Sequence, residues 1–224
     1  MNVPVTHLIV DCDGVLIDSE TVALGALVHM LLPHVPDREK LITLIRPRLG
    51  LKLEAVLLGL CSECHLPPPS IAELAHMRSH VEQECDARAE AVPGVADALE
   101  AIPQRKAVAS NSRLPRVLAA LERTGLAPLF ESVHTADIVG RPKPDPAVYL
   151  SAALSFAVDP AQCLAVEDSV TGVNAARAAG MRVLGFAGAG HAGRGQGAQL
   201  AAAGAMASFS DMAELPGLVA ELAV

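Results

Sequence analysis

The sequence predicts an α/β fold, a doubly wound parallel sheet interrupted after its first strand by an inserted helical domain. Two observations carry this. From Val92 onward, short apolar runs alternate with segments of helical periodicity, the pattern of successive βα units. An earlier apolar run, Leu8-Ile9-Val10, is separated from them by about 70 residues of helical pattern, a size suited to a small domain of its own. The expected boundaries are a core of residues 1–18 and 90–224 and a helical insertion of residues 19–89.

The elements follow in order. The first strand is bounded by the turn at Gly14 and leads into Asp11. Apolar residues at helical spacing then cover 19–32, 38–49, 53–65 and 70–89, divided by Pro36 and by Pro67-Pro68-Pro69. In the second half, strands over 107–109, 132–134, 163–166 and 182–186 alternate with helices over 114–124, 146–157 and 171–179. Gly125 and Gly180 stand where a left-handed helix end favours glycine.

Composition narrows the function. Of 224 residues, 51% are hydrophobic and only 2% aromatic, so Ala, Leu and Val must fill the core. A formal charge of −8 argues against nucleic acid, whose phosphates require a basic face. The chain shows no signal-peptide pattern and no apolar run of membrane-spanning length. Five scattered cysteines suit reduced thiols in the cytoplasm better than a disulfide framework.

The chemistry gathers at predicted strand ends. Asp11 and Asp13, spaced i and i+2, point to one side beyond the first strand. Paired carboxylates imply a cation or shared protons. One could attack phosphorus while the other carries a proton. Ligands of an open α/β sheet bind beyond the carboxyl ends of its strands. There the next strands offer Ser110-Asn111-Ser112, then Asp137 with the Gly140–Pro146 segment containing Lys143, then Glu167-Asp168-Ser169. Taken singly, the serines read as helix caps, the lysine as a solvated charge and the acidic pair as helix-start residues. In register, they suit a phosphate monoester and a divalent cation.

Asp11-Cys12-Asp13-Gly14 resembles the first motif of the haloacid-dehalogenase superfamily. Ala109-Ser110-Asn111-Ser112 resembles its second, Lys143 in Lys-Pro-Asp-Pro its third, and Glu167-Asp168-Ser169 with Gly172 its fourth. The likeness is nearest to the β-phosphoglucomutase and phosphoglycolate phosphatase subfamily, with the helical insertion where that subfamily carries a mobile cap. The resemblance implies a Rossmann-like core and a Mg²⁺-dependent phosphatase acting on a small phosphorylated metabolite. It implies Asp11 as nucleophile, forming an aspartyl-phosphate, and Asp13 as acid and base. It implies a Mg²⁺ held by Asp11, the Asp13 carbonyl and Asp168, with Glu167 a ligand or a support for the ligands. Ser110, Asn111 and Lys143 are the implied phosphate-binding residues, and Lys52 of the cap a candidate for substrate binding.

The alternatives are distinct. A sugar-phosphate mutase of the β-phosphoglucomutase type would carry a histidine and an arginine where this chain has Ala23 and Leu53. A phosphonatase would use a cap lysine, for which Lys52 is the candidate, and a non-catalytic metabolite-binding protein would keep the scaffold alone. Three further patterns pull elsewhere. Cys61-Ser62-Glu63-Cys64-His65 has the haem-attachment form but lies in a predicted helix. Cys61, Cys64, His76 and His80 approximate a zinc spacing, with three prolines between them, and leave adventitious metal open. Gly188–Gly193 fits GxGxxG, yet follows the last predicted strand, where it reads as a flexible loop. The substrate and the oligomeric state are left open.

Overall fold

The computed structural model describes residues 3–49, 53–189 and 195–223. The chain divides into two compact units, one formed by the chain up to Asp18 and from Glu90 onward, the other by Ser19–Ala89.

The first unit opens with β1 (His7–Val10), all four of whose residues are buried. A strand covered on both faces requires apolar side chains at successive positions, hence a continuous run rather than an alternation. After β2 (Ile17–Asp18) come the helices of the second unit, α1 (Ser19–Leu31), α2 (Arg38–Ile45), α3 (Leu53–Cys64) and α4 (Ile71–Arg88). The chain returns in β3 (Glu90–Ala91), which pairs antiparallel with β2. There follow α5 (Val95–Glu100), β4 (Arg105–Ser110), α6 (Leu114–Arg123), β5 (Ser132–Thr135), α7 (Ala136–Val139) and α8 (Ala147–Ser155). The chain closes with β6 (Cys163–Glu167), α9 (Val170–Ala178), β7 (Arg182–Phe186), α10 (Gln196–Ala203), β8 (Ala207–Phe209) and α11 (Leu215–Leu222).

Six strands form one sheet in the order β5-β4-β1-β6-β7-β8, and every pairing is parallel. The expected α/β fold is therefore the observed one. Because β1 lies between β4 and β6, the strand order reverses beside it, and the crevice beyond its carboxyl end is the natural ligand site. Val10 is level with Val108 and Val166, so the residues after these three valines emerge side by side. The helices of this unit contribute Ala152, Ala153, Ala175, Ala176 and Ala179 to a core with Ile9, Ala107, Ala165 and Val183. Such short side chains let a core close with almost no aromatic residues.

The helical unit has its own core. Leu24, Leu27, Val28 and Leu31 make one stripe of α1, meeting Leu41 and Ile45 of α2 and Val56, Leu57 and Leu60 of α3. At the start of α4, Ser70 and Glu73 cap each other's backbone groups. The helix expected over 38–49 stops at Ile45 and gives way to a 3-10 turn, Arg46–Arg48. Pro47 causes this, since it lacks the N–H that an α-helix would use and crowds the carbonyl four residues back.

The sheet also extends beyond its expected last strand, because β8 pairs with β7 through Leu184–Ala207 to Phe186–Phe209. Of the GxGxxG segment, Gly190–Gly193 lie outside the described residues, as does Lys52. The segment follows β7 rather than β1, the wrong place for a dinucleotide fingerprint. Among the described residues, no helix is long and apolar enough to cross a membrane.

Candidate active site

Asp11 follows β1, and its N–H still donates to the Val166 carbonyl at 3.0 Å, so the sheet ladder sets its position. Its side chain is 11% exposed. Two residues on, Asp13 is more open. Its Oδ2 accepts from the Ser112 hydroxyl at 2.6 Å, and its Oδ1 lies 3.9 Å from the Arg116 guanidinium. Gly14, at φ +82°, makes the turn between strand and helix. A Cβ there would stand 1.9 Å from Asp168 Oδ2, so glycine alone allows Asp168 to approach the Asp11–Asp13 loop.

Lys143 crosses the site and is buried. Its ammonium donates to Asp11 Oδ1 at 2.7 Å, Glu167 Oε1 at 2.6 Å and the Ala109 carbonyl at 2.9 Å. An ammonium has three protons, and all three are used. Asn111 braces the same segment: its Oδ1 accepts from the Lys143 N–H at 2.7 Å, and its amide donates to the Lys143 carbonyl at 3.4 Å. The Asn111 side chain therefore holds the lysine loop. Ser110 is buried, and its hydroxyl oxygen accepts the Ser112 N–H at 3.0 Å. Asp137 does not join the cluster; its carboxylate takes the Leu114 N–H, at 3.2 Å to the nearer oxygen, and so caps α6.

Glu167, fully buried, is enclosed by donors. Oε1 accepts from Lys143 and from the Tyr149 hydroxyl at 2.5 Å, and Oε2 from the hydroxyl and N–H of Ser169 at 3.1 and 3.4 Å. Ser169 in turn caps α9 by accepting the Gly172 N–H at 3.0 Å. Tyr149, the one tyrosine of the chain, has no counterpart among the residues singled out from the sequence. The same holds for Arg116, beside Asp13. A tyrosine in the first turn of α8 reads simply as core until the helix is docked.

Desolvation and then Glu167 push the Asp11 carboxyl up to about 7, against the pull of Lys143. Burial disfavours the charge on Lys143, but Asp11 and Glu167 more than reverse this and raise its pKa. Burial, with Asp13 and Asp11 adding to it, drives the Cys12 thiol well above its usual range, so the cysteine between the two aspartates stays protonated.

Carboxylates outnumber cations here. Asp11, Glu167 and Asp168 each present an oxygen within 4.8 Å of the others. Three hard oxygen donors around one lysine suit a hard divalent cation, which would relieve the repulsion that raises Asp11. Among the described residues, Cys61, Cys64, His76 and His80 form no such group.

Residues 5–180 match the profile of the haloacid dehalogenase-like hydrolases. The chain is 47% identical over 77 residues to the putative phosphatase YhcW of Bacillus subtilis, a match covering 34% of this chain and 35% of that one. That match spans about a third of the relative's length. The 6-phosphogluconate phosphatase of Escherichia coli is 29% identical over 79% of this chain and 80% of its own. A crystal structure of a HAD family hydrolase from Deinococcus radiodurans, with bound phosphate and sodium, superposes at a TM-score of 0.84. It is 29% identical, covering 98% of this chain and 96% of that one.

Proposed function

The chain belongs to the haloacid dehalogenase-like hydrolases, and from that premise we propose that it is a Mg²⁺-dependent phosphatase of a small phosphorylated metabolite. The substrate class is a sugar phosphate or a phosphoglycolate-like ester, and the reaction runs through an aspartyl-phosphate on Asp11. The observation that carries this is the pairing of a lysine-gripped, buried Asp11 with a more open Asp13 beside three convergent carboxylate oxygens. The names of the phosphatase relatives support it, as does the phosphate held by the Deinococcus structure.

Asp11 attacks phosphorus through a carboxylate oxygen, and the bond to the ester oxygen breaks. That oxygen takes a proton from Asp13, which Ser112 holds at 2.6 Å. Asp13, now ionised, removes a proton from the water that cleaves the acyl phosphate; inorganic phosphate leaves, and the Asp11 carboxylate and protonated Asp13 are regenerated. Lys143 favours the ionised form of Asp11 and aims it, and Ser110 supplies a hydroxyl donor to the phosphoryl oxygens. Asp11, the Asp13 carbonyl and Asp168 would hold the Mg²⁺, with Glu167 adding its charge. When bound, that ion neutralises the phosphoryl charge, which is the main electrostatic demand of phosphoryl transfer. The helical unit serves as the cap that selects the substrate, Lys52 being its candidate contact, and the setting is cytoplasmic.

Phosphate release from p-nitrophenyl phosphate, phosphoglycolate, 6-phosphogluconate and hexose phosphates tests the reading. Activity should fall to background in EDTA and return with Mg²⁺, and Ca²⁺ should support it poorly. Full activity after chelation would remove the metal. Conversion of β-glucose 1-phosphate to glucose 6-phosphate would establish a mutase instead.

A further inference from the structure

We propose that Tyr149 is a positioning residue, whose buried phenol keeps Glu167 turned onto Lys143 and off the cation. Glu167 then balances charge beside the metal without ligating it. The inference rests on the proposed cation site and concerns how this chain's residues divide the work around it.

An ionised carboxylate accepts at about four lone-pair sites. On Glu167 all four are taken within the protein, by Tyr149 at 2.5 Å and Lys143 at 2.6 Å on Oε1, and by Ser169 at 3.1 and 3.4 Å on Oε2. The backbone closes one more side: a Cβ on Gly172 would stand 1.9 Å from Oε1 and 2.0 Å from Oε2, so α9 lies directly on the carboxylate. Asp11, by contrast, gives Lys143 only Oδ1. Glu167 is near enough to ligate, since its oxygen lies within 4.8 Å of those of Asp11 and Asp168. Its donors, rather than its distance, withhold it. Tyr149 also holds the other end of the pair, because the Lys143 ammonium lies 5.0 Å from its ring centroid.

The test is calorimetric titration of wild type, Tyr149→Phe and Ser169→Ala with MgCl₂ and with CaCl₂, after melting curves confirm that each is folded. Tyr149→Phe removes only the hydroxyl and opens one acceptor on Oε1. Ser169→Ala, at a half-buried position, opens one on Oε2 and keeps the test available if the first variant fails to fold. Freed, Glu167 can join the ion, and an added carboxylate favours Ca²⁺, which takes six to eight oxygens, over Mg²⁺. Ca²⁺ affinity should rise about tenfold relative to Mg²⁺ in both variants, and the gain should disappear in Tyr149→Phe/Glu167→Gln. Unchanged ion preference, or equal weakening of both ions, would overturn the inference while leaving the metal site intact. A wild-type protein that binds neither ion would overturn the metal assignment and this inference with it.

Discussion

The Asp11 side chain is 11% exposed and gripped by an ammonium, whereas the Asp13 side chain is 36% exposed, accepts from Ser112 and lies beside Arg116. These surroundings suit one carboxylate to be aimed by its cation, and the other to exchange protons with substrate and water. Asp11→Asn replaces an anionic oxygen with an amide and should abolish the phosphoenzyme. Asp13→Asn should slow turnover of alkyl phosphates by roughly 10²–10⁴-fold, the usual worth of positioned acid–base catalysis. Its penalty should shrink for p-nitrophenyl phosphate, whose leaving group needs little protonation. Trapping the phosphoenzyme and measuring turnover with both esters separates the roles. Equal penalties for the two leaving groups, with dephosphorylation unchanged, would contradict the assignment of Asp13.

At the scale of elements, the start of α9 decides where Glu167 points. Ser169 caps the helix and Gly172 leaves its first turn bare, so the helix presses against the carboxylate. Gly172→Ala would drive a methyl into that carboxylate. It should cost about 1–3 kcal/mol in urea denaturation, as overpacking does, and weaken Mg²⁺ binding through the displaced Glu167. Gly25, inside α1, provides the contrast, because a Cβ there meets nothing within 4 Å. Gly25→Ala should stabilise by roughly 0.5–1 kcal/mol through helix propensity alone. If Gly172→Ala were as harmless as Gly25→Ala, the close packing of α9 on Glu167 would be refuted.

For the whole molecule, the sheet order makes β1 the shared spine, with the acidic site beyond its carboxyl end and a histidine at its amino end. His7 is buried, with its ring centroid 4.5 Å from that of Phe156, and its Nε2 has no hydrogen-bond partner among the described residues. Burial and the nearby Arg105 charge lower its pKa, while Glu131 opposes them. The folded state thus favours neutral histidine, and the unfolded chain takes the proton more readily. The stability this contributes is complete above the ordinary value of 6.5 and is lost as pH falls through the lowered folded value. His7→Phe should therefore lose less melting temperature than wild type between about pH 7 and pH 5. Parallel declines would show that another group governs acid stability.

The order of apolar runs determined the α/β class, and the Leu8-Ile9-Val10 run marked the strand that carries the first carboxylates. The residues at its neighbours' ends were legible too, because a parallel sheet delivers the residue after each strand to the same edge. Periodicity, however, records only which face of an element is buried. Ala207-Ser208-Phe209 is too short and too polar to show a period, so β8 emerged only from its pairing with Leu184 to Phe186. Tyr149 looks in sequence like any core residue of α8; its hydroxyl acquires a partner 18 positions away only when α8 packs over β4 and β5 and brings it to the end of β6. Lys143 reads in sequence as a phosphate-binding cation; its contacts with Asp11, Glu167 and the Ala109 carbonyl come only from the fold. The sequence by itself determined which chemical groups reach the edge of the sheet. Which of them touch, and which donors are already spent, was decided by strand register and helix docking, which join residues as far apart as Asp11 and Lys143.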